Sequence, residues 1–121
     1  MIQAQELRIG NLINLVSFEN DVMEINIMAS DIELCDESEN EFNVHYKPIP
    51  ITEKLLLKFG FENMEKFPLR YVQRVKPDSL SEFEPCIVCG DLWLTGIRHV
   101  HQLQNLYFSL TGEELTLSDV I

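Results

Sequence analysis

Between Leu7 and Tyr46 apolar and polar positions alternate in short runs, each broken by Gly, Asn, Asp or Ser. Ile13 and Leu15 flank Asn14; Met23, Ile25 and Ile27 alternate with Glu24 and Asn26; Ile32 and Leu34 flank Glu33; Phe42, Val44 and Tyr46 alternate with Asn43 and His45. A period of two puts one side of each run on a buried face, so the spacing predicts a four-stranded antiparallel meander. Gly10 and Asn11 both tolerate positive φ and predict a bulge or sharp bend in the first strand, a device that curls a short meander towards a small barrel.

The period changes at KPIPITEKLLLKFGF, residues 47 to 61. Pro48 and Pro50 keep the backbone extended, Thr52 is a good N-cap, and Leu55, Leu56 and Phe59 form a stripe at helical spacing. Gly60 stands where a left-handed C′ residue belongs and Phe61 where it can fold back on Leu56, so a short helix over about 52–59 has both ends encoded. Strands are then expected at 69–75, 83–89 and 92–95, with Gly90-Asp91 as a tight turn between the last two. ELTLSDVI, residues 114 to 121, alternates enough for a closing strand. The expected class is α+β in a single domain, 1–121: mostly antiparallel sheet with two helices, at about 52–59 and 98–111.

In the second helix, at about 100° per residue, Val100, Leu103, Leu106, Tyr107 and Leu110 share one stripe. Phe108 falls on the far side beside His101, Gln104 and Asn105, and no charged residue occurs from Val100 to Leu110. A helix uncharged all round is covered on more than one side. His101, Gln104, Asn105 and Phe108 are therefore candidates for an internal contact, a ligand pocket or the interface of a homodimer.

Composition narrows the class without naming a function. A chain of 121 residues, 45% hydrophobic and 24% charged, suits a globular protein with one core. No apolar run approaches the roughly 20 residues that span a bilayer, and the start MIQAQELRIGN has no basic-then-apolar block, so a cytoplasmic protein with no membrane contact is expected. Three cysteines without framework spacing agree with a reducing compartment. Twenty acidic against nine basic residues, a formal charge of −11, disfavour general nucleic-acid binding. Asp31, Glu33, Asp36, Glu37, Glu39 and Glu41 crowd one segment, as a solvated turn or as a mimic of a nucleic-acid backbone.

Four groupings carry candidate chemistry. In KFPLRYVQRVK a strand would project Arg70, Arg74 and Lys76 from one face, with Tyr71 or Trp93 to stack; two guanidinium forks and an ammonium suit a phosphate-bearing ligand, or else pair with acids across neighbouring strands. Cys86-x-x-Cys89, with His99 and His101 following, offers four nitrogen and sulfur ligands for zinc, but only if the chain turns at Val88, because a strand sends Cys86 and Cys89 to opposite faces. Two buried structural thiols explain the pair equally well. Cys35, His45, His99 and His101 hold parts of a nucleophile-base pair, yet no GxSxG, HExxH or glycine-rich phosphate loop orders them, and no residue is assigned a catalytic role.

ELRIGN near the start, PIPITEKLLLKFGF in the middle and VHQLQNLYFSLTGEEL near the end resemble, in that order, a group of small uncharacterised proteins of Bacteroidetes genomes, phages and prophage-like elements. The resemblance covers about a third of the chain and implies a context, not a chemistry; the Cys86 and Cys89 pair is not part of it. The expected function is a non-catalytic accessory protein without cofactor, engaging a protein partner or a small anionic, nucleotide-like ligand, with counter-defence as the narrower form. The alternatives are an acidic decoy that mimics nucleic acid and a small Cys/His or zinc-dependent enzyme.

Overall fold

The computed structural model describes residues 2–76 and 81–117. The chain groups into two compact units, Met1–Pro50 with His99–Asn105 and Ile51–Arg98 with Leu106–Ile121. The fold is α+β: the described residues form four α-helices and two antiparallel sheets, and neither of these sheets closes into a barrel.

The first unit is built on a three-stranded sheet of order β2-β1-β3, where β1 is Leu12–Val16, β2 is Val22–Asn26 and β3 is Tyr46–Lys47. The expected bend at Gly10-Asn11 is present. Gly10 has φ +95, its N–H donates to Ile27 O at 2.7 Å, and Ile27 N–H donates to Asn11 O at 2.8 Å. Two residues thus oppose one, the bond pattern of a glycine bulge. At the other end of the hairpin Ser17 N–H donates to Asp21 O at 2.9 Å, and Asn20 takes φ 65 in the loop between them.

The third and fourth strands of the expected meander are replaced by helices α1 (Ala29–Glu37) and α2 (Glu39–His45); only Tyr46–Lys47 at the end of that segment is strand. Apolar residues two apart fit either period when the run is this short, and local bonds decide. Asp31 reaches back to accept from Met28 N–H at 2.8 Å, which starts α1 as a capping carboxylate does. In α2 the working spacing is i, i+4: Phe42 is buried and its ring stacks on Tyr46 at 3.9 Å, whereas Val44, which a strand would have turned the same way, is exposed. The core of this unit is Ile2, Leu7, Ile13, Ile27, Cys35 and Phe42, with Ile32, Leu34 and Tyr46 packed against it.

The second unit holds a four-stranded sheet, β4 (Glu65–Lys66), β5 (Leu69–Val75), β6 (Phe83–Cys89) and β7 (Leu92–Trp93), paired in that order. Strands β5 and β6 lie where the alternation predicts, and Cys89 pairs with Leu92, leaving Gly90-Asp91 as a two-residue hairpin turn. Helix α3 (Glu53–Lys58) is capped by the Thr52 hydroxyl, which accepts from Leu55 N–H at 3.2 Å. It ends as the sequence indicates: Phe61 N–H donates to Leu56 O and Gly60 N–H to Leu57 O, both at 3.1 Å, with Gly60 at φ +95. Glu53 at its start accepts from Tyr71 Oη at 3.1 Å and from Gln73 Nε2 at 2.8 Å, which draws the helix onto one face of β5. Helix α4 (Val100–Thr111) contributes its first half to one unit and its second half to the other. Residues 114–117 form no strand, and the rest of the expected closing strand lies outside the described residues.

Two measurements check this packing. Leu56 is fully buried and its neighbour Leu57 is 57% exposed; Leu56→Ala should cost about 2–5 kcal/mol in urea denaturation and Leu57→Ala about 0.5 kcal/mol or less. Burial, then its 2.7 Å hydrogen bond to Asp31, pushes the Tyr46 hydroxyl from an ordinary pKa of 10.0 up to about 12. A group raised in the folded state stabilises below its unfolded pKa and loses that contribution as pH rises through the folded one. Stability should therefore fall between about pH 10 and 12, by less in Tyr46→Phe.

Candidate functional site

The uncharged face of α4 resolves into a hydrogen-bond network within the first unit. Gln104 Oε1 accepts from Leu12 N–H at 2.8 Å and from Asn11 Nδ2 at 3.4 Å. Asn105 Oδ1 accepts from Asn11 Nδ2 at 2.9 Å and from an Arg8 guanidinium nitrogen at 3.1 Å, while Asn105 Nδ2 donates to Glu6 O. Asn11 Oδ1 accepts from Arg8 N–H. His101 is buried and donates from Nε2 to Glu6 Oε1 at 3.0 Å; its Nδ1 has no hydrogen-bond partner among the described residues. His101, Gln104 and Asn105 are thus brought together, and they fasten the ELRIGN segment to the helix. Phe108 lies outside this network, at the helix surface, 39% exposed.

The basic grouping is mostly neutralised by its own sheet. Arg74 meets Glu84 on β6, with Nε at 2.9 Å and a terminal nitrogen at 2.8 Å, and Lys76 meets Glu82 at 3.3 Å. Arg70 donates to Gly90 O at 3.2 Å and shares a row of the sheet with Val88 and the half-exposed Trp93. Tyr71 points to the opposite face, buried beside Phe61 at 5.9 Å between ring centres, so it is not a stacking platform for the cations. Burial, then the bond to Glu53, pushes its hydroxyl pKa up.

The zinc grouping fails on strand geometry. Strand β6 runs unbroken through Cys86, Val88 and Cys89, pairing Cys86 with Val72 and Cys89 with Leu69, which turns the two thiols to opposite faces. Among the described residues no group of three or more His, Cys, Asp or Glu side chains is placed to hold a metal ion. The thiol of Cys35 lies in the core, against Ile2 O, and burial followed by Glu39, Glu6 and Asp36 pushes its pKa up, away from a reactive thiolate. His45 is committed elsewhere: its Nδ1 donates to Val16 O at 3.1 Å.

A surface that the residue patterns did not single out lies at the open end of the β1–β2 hairpin. Leu15, Val16, Ser17, Phe18, Asp21, Met23 and His45 line a groove of about 430 Å³. His45, the last residue of α2, contributes to its lining together with both strands of the hairpin and the turn between them. The Phe18 ring rests edge-on against His45 at 4.6 Å yet is 90% exposed, and Val22, Met23 and Val44 are exposed as well. An aromatic residue in a polar turn, Ser17-Phe18-Glu19-Asn20-Asp21, is the sequence signal that marks it.

The chain matches no family model, no curated protein and no solved structure. No helix among the described residues is long and apolar enough to cross a membrane.

The network predicts its own energetics. Gln104→Met keeps the volume but strands the buried Leu12 N–H, and Asn105→Ala removes three bonds at once. Each should destabilise by about 1–3 kcal/mol in denaturant titration.

Proposed function

We propose that this chain is a non-catalytic binding protein that engages a protein partner through the hairpin end of its first unit. The observation that carries this reading is the groove itself: a nearly fully exposed Phe18 beside Leu15, Val16 and the exposed Met23, with His45 against its ring. Exposed aromatic and methionine side chains supply the apolar anchors that protein interfaces use, and their exposure contributes nothing to folding. The ligand form of the reading is weaker, because a phosphate would have to displace Glu84 and Glu82 from Arg74 and Lys76. The resemblance noted above suggests a phage or mobile-element setting, where a protein of this kind would occupy a host component as a counter-defence device.

The acidic decoy remains a second reading with an observation of its own. Glu33, Asp36, Glu37 and Glu41 are exposed on α1 and α2, and no lysine or arginine lies between Arg8 and Lys47 to balance them. A decoy would be released by salt, whereas an apolar groove would hold its partner.

Photo-crosslinking in the native host tests the leading reading. A benzophenone side chain at position 18 should give discrete protein adducts that the same group at position 57, exposed on α3, does not give. Met23→Asp should abolish those adducts with stability changed by about 0.5 kcal/mol or less. No adduct from position 18 would overturn the proposal.

A further inference from the structure

Among the described residues strand β2 is an edge of its sheet, paired on one side, to β1. The bonds Ser17 N–H to Asp21 O and Ile27 N–H to Asn11 O fix the alternation: odd-numbered residues of β2 bond inward to β1. Val22, Glu24 and Asn26 therefore turn their backbone N–H and C=O groups outward. An edge is ordinarily blunted by lysine, proline or an outward bulge, and β2 has none of these. Four of its five residues are exposed, and the odd-numbered side of the strand, where Met23 lies, continues into the apolar groove of Leu15, Phe18 and His45.

The chain around this edge is mostly acidic, with Lys47 standing two strands away from Glu24 in the same row of the sheet. From residue 9 to residue 46 there are nine carboxylates, Glu19, Asp21, Glu24, Asp31, Glu33, Asp36, Glu37, Glu39 and Glu41, and no lysine or arginine. A second copy of the chain is a poor occupant: two β2 strands paired over their full length, Val22–Asn26, about a twofold axis set Glu24 opposite Glu24, and like charges directly opposed destabilise a sheet. The occupant that fits both halves of the surface has apolar side chains on one face and cations on the other.

We infer that β2 accepts an extended segment of a partner protein in which apolar residues alternate with lysine or arginine, added as a further strand. Its apolar side chains lie over Met23 and the groove, its cations lie beside Glu24 on the other face, and its backbone pairs with Val22, Glu24 and Asn26. This rests on the protein-partner reading above and names the chemistry of that partner.

The test is selection from a phage-displayed random peptide library on the immobilised full-length protein, followed by fluorescence anisotropy with a synthetic copy of an enriched peptide. Enriched sequences should alternate apolar residues with Lys or Arg over roughly four to six positions, the length of a strand. Binding should weaken about tenfold or more with Glu24→Lys, with Glu24→Pro, which removes an outward N–H while leaving the inward ladder, and with the peptide N-methylated on the N–H groups that face β2. Leu57→Ala serves as the unaffected control. The N-methylated peptide reads the backbone pairing even where Glu24→Pro disturbs the hairpin. Enrichment of acidic or uncharged peptides, or binding indifferent to N-methylation and to Glu24→Lys, overturns the added strand and leaves the protein-partner reading standing. No enrichment of any peptide overturns the added strand, and the absence of position-18 adducts is what separately overturns the broader reading.

Discussion

A buried polar group must find a partner, and in this protein the uncharged side of one helix is organised by that requirement. Gln104 and Asn105 could not be covered by apolar side chains without losing their hydrogen bonds to water. They are covered instead by the backbone and side chains of residues 6 to 12, whose Leu12 N–H, Glu6 carbonyl, Asn11 amide and Arg8 guanidinium supply the complement. The glycine bulge at Gly10 turns Asn11 into place for this and at the same time sets the register of β1 against β2. Helix contact and strand register are thus two consequences of one arrangement.

The register so fixed decides where the first unit is open. With β1 and β2 locked at the bulge end, Ile13 and Ile27 sit in the core with Cys35 of α1 and Phe42 of α2, while Leu15 and Met23, further along the hairpin, line the groove with His45. The turn that closes the hairpin places Phe18 beside that opening, in a stretch of chain, residues 9 to 46, that carries nine carboxylates and no lysine or arginine. In the second unit Arg74 of β5 and Lys76 just past its end meet acids across the sheet, while Arg70 donates to the Gly90 carbonyl, so much of the local reversal of charge ends as cross-strand pairing.

Much of the architecture was legible because local signals agreed with one another. The N-cap, stripe and glycine ending of α3 all specify the same helix, and β5, β6 and their turns carry alternation long enough to exclude a helical period. Residues 29 to 45 were misread because runs of three and five residues satisfy both periods, and the deciding facts, the Asp31 cap and the Phe42–Tyr46 stack, involve geometry that the alternation conceals. Of the candidate site residues, His101, Gln104 and Asn105 were visible as an anomaly, a helix face without charge, while their partners Glu6, Arg8 and Asn11 were not, since nothing in local pattern links positions more than ninety residues apart.

By itself the order of residues determined the α+β class, the two longest-signalled helices, the bulge, the hairpin turn at Gly90-Asp91 and the negative charge, because each depends on neighbours within a few positions or on composition alone. Only the tertiary structure decided which polar groups satisfy one another, that Arg74 and Lys76 are paired with acids, and that the hairpin end leaves Phe18 exposed beside a groove and, among the described residues, β2 at the edge of its sheet. The physical reason is that a hydrogen-bond partner and an uncovered surface are properties of distant segments meeting, or failing to meet, in space.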